Sequence, residues 1–214
     1  MIENRFVFII PFRNVKPFIK DCYSTILAQK YQNWIAIFCD DASTDDTISE
    51  IPKDNRFIIR VNDKRTTALP NIHHGIVDSN LNDEDVICIL DGDDALLHDS
   101  VLNIINNLYQ DDTLLTYGQY AYQNGQIGHC KGYTESEFKN LRTGGYWASH
   151  MRTFKYKLYK ELIKQDTELN CYKDNFGNFY TITYDVAIMT PLMEIAGLEK
   201  IKFKGFIQDL GSNC

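Results

Sequence analysis

The sequence lacks the long apolar run that a transmembrane helix requires. No segment of its 214 residues approaches the roughly 20 continuous apolar residues that span a bilayer. Residues 1–12 contain no basic stretch followed by a long apolar run, so we predict no signal peptide. We therefore expect a protein of the cytoplasm or of the cytosolic face of a membrane.

The spacing of the cysteines and the small number of basic residues each exclude a class of protein. No two of the six cysteines form a Cys-x-x-Cys pair, which favours buried, reduced thiols over a disulfide framework or a zinc site. The 22 lysines and arginines are outnumbered by 29 aspartates and glutamates, giving a net charge of −7. An acidic surface argues against nucleic acid as the main partner. An anionic small substrate stays compatible, because a bound divalent cation reverses the local sign.

Short apolar runs that alternate with helix-length segments dominate the first half. The runs predict buried strands at residues 6–10, 34–39, 57–61 and 86–90. Helical periodicity predicts helices at residues 17–27, 69–79, 156–164 and 185–196. Strands that are apolar on both faces indicate a mostly parallel sheet with helices on both faces. The predicted fold class is α/β, in one compact domain.

Three carboxylates follow the fourth strand directly, in the turn Asp91-Gly92-Asp93-Asp94. They repel one another, and burying them unpaired would be costly. Mg²⁺ and Mn²⁺ prefer oxygen ligands, and Gly92 permits a tight turn and close ligand approach. Ligands of open α/β sheets bind at the carboxyl ends of the strands. We therefore favour a metal site over the alternative, a solvated turn before the next helix.

A second acidic cluster, Asp40 to Thr47, follows the second strand. Ser43 or Thr44 is predicted to cap a helix whose first turn contains acidic residues. Capping does not account for Asp40 and Asp41 at the strand end. A carboxylate there can accept a hydrogen bond from the imide of a uracil ring.

Three segments together resemble the family 2 glycosyltransferases of the GT-A fold. They are Phe8-Ile9-Ile10-Pro11-Phe12-Arg13-Asn14, Cys39-Asp40-Asp41-Ala42-Ser43-Thr44-Asp45 and Ile89-Leu90-Asp91-Gly92-Asp93-Asp94. They are similar to the family's first strand and Pro-x-x-Asn turn, its Asp-Asp-Gly-Ser-Thr-Asp element (with Ala42 for the usual Gly) and its Asp-x-Asp motif. The resemblance is strong to about Ser100 and looser beyond it.

The resemblance implies a single GT-A domain over residues 1–214. Residues 1–112 would form the nucleotide-sugar-binding part and residues 113–214 the acceptor-binding part. The chain ends near where related enzymes continue, so it is also consistent with one domain of a longer protein.

The same resemblance implies roles for individual residues. The nucleotide-sugar would be bound by Pro11, Phe12, Arg13, Asp41, Arg65, Asp91, Gly92 and Asp93. Asp41 would contact the base, and Arg65 would reach the diphosphate. Asp91 and Asp93, with Asp94 nearby, would hold the metal. The family's arginine in the helix that follows is absent here, where the sequence reads Asn71-Ile72-His73-His74-Gly75-Ile76.

Two further residues are candidates because they lie two apart, which places them on one face if that segment is extended. Arg152 is a candidate clamp for the diphosphate, and His150 a candidate contact to the metal or the acceptor. Surface or core roles are the alternatives for both.

Tyr184-Asp185-Val186-Ala187 matches the position where the family places a catalytic base, at the start of a helix facing the acceptor. Asp185 is the predicted base, with helix capping as the competing explanation. The implied reaction is inverting transfer of a sugar from a nucleotide-diphosphate donor, with a UDP-sugar expected and Mn²⁺ or Mg²⁺ as cofactor. The acceptor would be a hydroxyl of a glycan, a lipid-linked molecule or a protein. The sequence specifies neither the sugar nor the oligomeric state.

Two other functions fit parts of the pattern. A haloacid-dehalogenase-like phosphatase would use Asp91 as nucleophile and Asp93 as acid and base. It leaves Asp40 and Asp41 unexplained, and Ala95 stands where such enzymes usually have Thr or Val. A non-catalytic nucleotide-sugar-binding domain is the second alternative.

Overall fold

The computed structural model describes residues 1–122 and 124–210, in which strands and helices alternate. The strands are β1 Phe6–Phe12, β2 Trp34–Asp40, β3 Phe57–Val61, β4 Val86–Ile89, β5 Ala95–Leu96, β6 Leu115–Tyr122, β7 His150–Lys155 and β8 Ile201–Leu210. The helices are α1 Ile19–Leu27, α2 Thr47–Glu50, α3 Ala68–Val77, α4 Val101–Leu108, α5 Glu135–Phe138, α6 Tyr156–Gln165 and α7 Tyr184–Ala196.

Within the described residues, the eight strands form one sheet in the order β3-β2-β1-β4-β7-β6-β8-β5. Neighbours are parallel from β3 through β4, and β6 is parallel to β8. Strand β7 lies antiparallel between β4 and β6, so the second half of the chain extends the same sheet. The α/β fold class with a largely parallel sheet is therefore confirmed.

Strand β1 shows how the apolar runs build a sheet covered on both faces. Its residues are fully or almost fully buried and alternate between two core clusters. Val7 and Ile9 pack with buried side chains of α3, α6 and α7. Phe6, Phe8 and other β1 side chains pack with buried side chains of α1 and α4. This two-sided burial fixes the position of the carboxyl ends of β1, β2 and β4, where the acidic segments lie.

The structure corrects the predicted capping role of the second acidic cluster. Helix α2 begins at Thr47, and Asp46 occupies the N-cap position. Ser43 instead donates from its backbone N–H to Asp40 Oδ1 at 3.1 Å. Thr44 donates from its backbone N–H to Asn14 Oδ1 at 2.7 Å. The prediction that Ser43 or Thr44 caps the helix was wrong, because Asp46 is the N-cap residue. The hydroxyl of Ser43 accepts from the backbone N–H of Asn14 at 3.0 Å, so both residues connect the end of β2 to the end of β1.

The thiols of the described residues agree with the prediction from their spacing. Five cysteines are free, and all of these except the half-exposed Cys171 are buried. Burial raises the pKa of Cys39 to about 12, so this thiol stays protonated near neutral pH. Cys214 lies outside the described residues. None of the described helices combines the length and the apolar character needed to cross a membrane.

Candidate functional site

A cleft of about 360 Å³ opens at the carboxyl ends of β1, β2 and β4. Seven of the predicted nucleotide-sugar residues line it: Pro11, Phe12, Arg13, Asp41, Arg65, Asp91 and Asp93. Its remaining wall includes the start of α3, at Thr67, Ala68 and Asn71, and the start of α7, at Thr181 and Tyr184. The sheet edge thus brings together residues that are far apart in sequence.

Gly92 lies behind the cleft wall and makes the close packing of the acidic turn possible. A Cβ atom on this residue would lie 2.6 Å from Cβ of Phe12. The Gly92 N–H donates to the carbonyl of Pro11 at 3.1 Å. The glycine is therefore required by the approach of β1, and this contact fixes the turn against the end of that strand.

The carboxylate of Asp91 is held by two side chains from the second half of the chain. Arg152 donates from Nη2 to Asp91 Oδ2 at 3.0 Å, and Tyr184 donates its hydroxyl proton to Asp91 Oδ1. Arg152 is only 1% exposed. Burial alone would lower the pKa of Arg152, but Tyr184, Asp91 and Asp185 around it raise that pKa well above its usual value. Arg152 therefore stays charged and offsets part of the acidic turn.

Asp91, Asp94 and His150 form a cluster of the kind that can hold a metal ion. One ligand atom from each lies within 4.8 Å of the others. His150 Nδ1 lies 2.6 Å from the hydroxyl of Ser149, and its Nε2 lies 4.0 Å from Asp94 Oδ2. Burial, first, and the charge of Arg152 lower the pKa of His150 well below its usual value. A neutral imidazole with two carboxylates is a donor set that fits Mn²⁺.

Asp93 faces the cleft and stands outside this cluster. Burial raises its pKa, and the neighbouring charge of Asp91 raises it further. An added cation or a cationic side chain would relieve this repulsion. Asp93 thus stays a predicted metal or diphosphate ligand beside the cluster.

Asp41 organises the loop that closes one side of the cleft. Its Oδ1 accepts hydrogen bonds from the backbone N–H of Thr66 at 2.6 Å and from the hydroxyl of Thr66 at 3.0 Å. The backbone N–H of Thr67 donates to Oδ2 at 2.9 Å. Asn62 Nδ2 adds a contact to Oδ1 at 3.3 Å. A carboxylate that accepts this many donors is fixed in place, and its contact with a base stays a prediction.

Two arginines line the same cleft as the carboxylates of the acidic turn. Arg13 follows β1, and Arg65 precedes α3. The buried Nε of Arg13 has no hydrogen-bond partner among the described residues. Guanidinium groups recognise phosphates through paired N–H donors. A cleft lined by both carboxylates and arginines suits an anionic ligand that arrives with a divalent cation.

Asp185 lies in the first turn of α7 and is partly buried. Thr183 is the N-cap residue of this helix and makes no side-chain capping bond, so the capping explanation for Asp185 was wrong. The charge of Asp185 contributes to the raised pKa values of Tyr146 and Tyr184. This places its carboxylate near both the cleft and a neighbouring cavity.

That neighbouring cavity has a volume of about 310 Å³ and lies along another face of α7. Thr183, Val186, Ala187 and Thr190 of α7 line it together with Tyr146. Residues close in sequence line the two spaces, since Thr181 lines the cleft and Thr183 lines the cavity. Helix α7 therefore separates the two spaces, and Asp185 is carried by its first turn.

The sequence pattern missed several residues of the site. Tyr184 carried no predicted role, although it directly precedes the predicted base. The loop donors Asn62, Thr66 and Thr67 carry no motif signal, since they act mainly through backbone N–H groups and local geometry. The predicted residues also include five that do not line the cleft: Gly92, Asp94, His150, Arg152 and Asp185.

Comparisons with known proteins match this arrangement. The family model for glycosyl transferase family 2 matches residues 7–176. S. aureus TarS superposes with a TM-score of 0.67 at 14% identity, over 97% of this chain and 36% of that chain. The 1-349 form of S. aureus TarS in complex with UDP-GlcNAc superposes with a TM-score of 0.58 at 16% identity, over 74% of this chain and 47% of that chain. The mannosyltransferase PcManGT from Pyrobaculum calidifontis, in complex with GDP-Man and Mn²⁺, superposes with a TM-score of 0.60 at 17% identity, over 95% of this chain and 57% of that chain.

These likenesses confirm the predicted GT-A fold. The chain spans well under two thirds of the length of each of these three structures. A search of curated proteins gave no significant match.

Proposed function

The chain belongs to glycosyl transferase family 2, and on this premise we propose that it transfers a sugar from a nucleotide-diphosphate donor to an acceptor hydroxyl. The observation that carries the proposal is the cleft at one sheet edge whose lining brings Arg13 and Arg65 together with Asp91 and Asp93. The phosphatase alternative has lost its support, because the family model that matches residues 7–176 is that of glycosyl transferase family 2.

The donor is bound with its base toward Asp41 and its diphosphate toward the acidic turn. Pro11, Phe12 and Arg13 form the wall beside the base, and Arg65 reaches the diphosphate from the loop before α3. UDP is our first choice of nucleotide. A structural relative of similar fold holds UDP-GlcNAc and another holds GDP-Man, so both classes belong in the test.

Asp91, Asp94 and His150, with Asp93 beside them, are the residues that would hold Mn²⁺ or Mg²⁺. When bound, such a cation stabilises the negative charge that develops on the departing diphosphate. Arg152 holds Asp91 in the orientation required, and its own buried charge limits the repulsion within the turn.

Asp185 is the proposed catalytic base. It takes the proton from the acceptor hydroxyl as that oxygen forms its bond to the anomeric carbon. The bond from the anomeric carbon to the phosphate oxygen breaks, and the nucleoside diphosphate leaves with the electron pair. One displacement of this kind inverts the configuration at the anomeric carbon. We place the acceptor in the cavity beside α7, whose lining includes Tyr146 and Thr190.

The experiment that tests this function measures release of nucleoside diphosphate from a panel of UDP-sugars and GDP-sugars, with Mn²⁺ and simple glycosides as acceptors. We expect release from one donor class, and a product whose anomeric configuration is inverted by NMR. Retained configuration would contradict the single displacement. A folded protein that binds a donor but releases no nucleotide with any acceptor would support the non-catalytic alternative.

A further inference from the structure

Tyr184 contacts the acidic turn from the helix that carries the proposed base. It is the first residue of α7, and Asp185 follows it directly. Its hydroxyl donates to Asp91 Oδ1 across 93 positions of sequence. A single side chain therefore links the donor-binding turn to the first turn of α7.

Asp91 is held from two sides, and the two partners also contact each other. Arg152 Nη2 binds the other oxygen, Oδ2, at 3.0 Å. The guanidinium carbon of Arg152 lies 5.3 Å from the ring centroid of Tyr184, within range for a cation–π interaction. Asp91, Arg152 and Tyr184 thus form one packed unit, in which a shift of the carboxylate changes the environment of both neighbours.

The first turn of α7 packs on the core only in part, through the partly buried Tyr184 and Ala187. Thr183, its N-cap, makes no side-chain capping bond and has a positive φ of 52°. Ile182, just before it, is 74% exposed. The body of the helix is different, since Ile188, Met189 and Leu192 are buried in the core. The hydrogen bond of Tyr184 to Asp91 is therefore a direct restraint on the segment that presents Asp185.

We propose that Tyr184 is a positioning residue that couples occupancy of the acidic turn to the placement of Asp185. The inference rests on the function proposed above. A cation held at the turn would restrain the carboxylate of Asp91, and the hydroxyl of Tyr184, bonded to Oδ1, would transmit that restraint to the first turn of α7. The base is then held in place when the donor is bound.

The test compares Tyr184→Phe with Tyr109→Phe. Both changes remove one hydrogen-bonded hydroxyl and keep the ring; Tyr109 lies buried in the core, where its hydroxyl meets Thr153 Oγ1 at 2.9 Å. Three readouts are taken on the whole chain: Mn²⁺ affinity in the presence of UDP or GDP, kcat and KM, and hydrogen exchange at the amide of Ala187. That amide donates to the carbonyl of Thr183 at 3.2 Å and reports on the first turn.

We expect Tyr184→Phe to weaken Mn²⁺ binding about 10-fold, the lower end of the effect of residues that orient metal ligands. We also expect kcat to fall by more than KM rises. In the wild type, Mn²⁺ with nucleotide slows exchange at Ala187, and Tyr184→Phe abolishes this slowing. Tyr109→Phe, and Asp185→Asn as a second reference, keep it.

The outcomes separate the coupling from the proposed function. Wild-type protein that binds Mn²⁺ and nucleotide without any change in exchange at Ala187 overturns the coupling and leaves the function standing. Tyr184→Phe with wild-type metal affinity and wild-type kcat does the same. Wild-type protein that binds no metal with either nucleotide overturns the metal-dependent function and the coupling with it.

Discussion

Arg152, almost completely buried in β7, donates to Asp91 at 3.0 Å across the antiparallel pairing of β4 with β7. This contact joins the two halves of the chain at the candidate site. It brings a cation that the solvent does not reach to an acidic turn with three carboxylates. Replacing Arg152 with an apolar side chain of similar length would remove the charge of this pair while keeping most of the packing.

We expect Arg152→Met to lower the free energy of unfolding by about 3 kcal/mol, because removing one partner of a buried pair leaves the other uncompensated. Adding Mn²⁺ should restore part of that stability, since a ligand that binds only the folded state stabilises it. Urea unfolding with and without Mn²⁺ measures both effects.

Lys157→Met is the matched control for this prediction. Lys157 pairs with Glu84 at 2.7 Å on the surface, where ion pairs contribute about 1 kcal/mol or less. If Arg152→Met and Lys157→Met had the same small effect, the pair with Asp91 would not stabilise the fold as described.

Asp185→Asn is expected to leave nucleotide affinity unchanged and to lower kcat by about 100-fold or more, the usual range for loss of a general base. The physical reason is that Asp185 does not line the donor cleft, whereas its charge acts at the boundary with the neighbouring cavity. Calorimetry with nucleotide and steady-state kinetics check the two parts. Asp174→Asn, in an exposed turn outside both cavities, is the control. Turnover near the wild-type rate would remove Asp185 from the role of base.

Asp41→Asn is expected to loosen residues 62–67 and to weaken nucleotide binding by about 10-fold. An asparagine presents an N–H₂ group where the carboxylate now accepts from the backbone of Thr66 or Thr67, and hydrogen bonds to charged groups contribute about 1.5 to 3 kcal/mol each. Hydrogen exchange of this loop in the free protein, together with nucleotide titration, measures both effects.

Asp45→Asn serves as the control for Asp41, because Asp45 belongs to the same acidic segment but accepts from Thr47 outside the cleft. Faster exchange of the loop in Asp41→Asn with unchanged nucleotide affinity would show that this loop does not shape the binding site.

The partly buried His73 predicts how the stability of the fold depends on pH. Burial, first, and the neighbouring His74 lower its pKa, while its Nδ1 lies 2.9 Å from the hydroxyl of Tyr159. At a pH between the lowered pKa of His73 in the folded protein and its pKa of about 6.5 in the unfolded chain, the unfolded chain binds more protons. Stability should therefore fall as the pH drops below about 6.5, and the partly buried His150 contributes with the same sign.

His73→Asn, which keeps a nitrogen or oxygen near the position of Nδ1, should reduce the loss of stability between about pH 7.5 and about pH 5.5. Urea midpoints at the two pH values measure it, with His98→Asn at an exposed position as the control. An unchanged pH slope in His73→Asn would show that the burial of His73 does not set this dependence.

The sequence was most informative where physical chemistry acts locally. The β1 run predicted a strand buried on both faces, and the carboxylates after β2 and β4 predicted a ligand edge, because both signals depend on neighbouring residues alone. Ala42 fits the same logic: its φ of 56° is a conformation that glycine adopts without strain, which accounts for the glycine usual in the family.

What the sequence could not reveal depends on contacts between distant segments. The buried Arg152 and Thr153 break the apolar pattern of β7, so this central strand gave no strand signal. The bond from Tyr184 to Asp91 and the loop bonds to Asp41 follow from how β7 and α7 return to the sheet. Periodicity and short motifs carry no information on such pairings.

Calorimetric titration of UDP, GDP and dTDP into the folded protein, with Mn²⁺ and then with EDTA, measures metal-dependent nucleotide binding. We predict that one of these nucleotides binds with Mn²⁺, that EDTA weakens this binding by about 10-fold or more, and that Asp93→Ala abolishes its dependence on metal. Binding that is equally tight in EDTA, or no binding of any nucleotide by a protein shown to be folded, would contradict it.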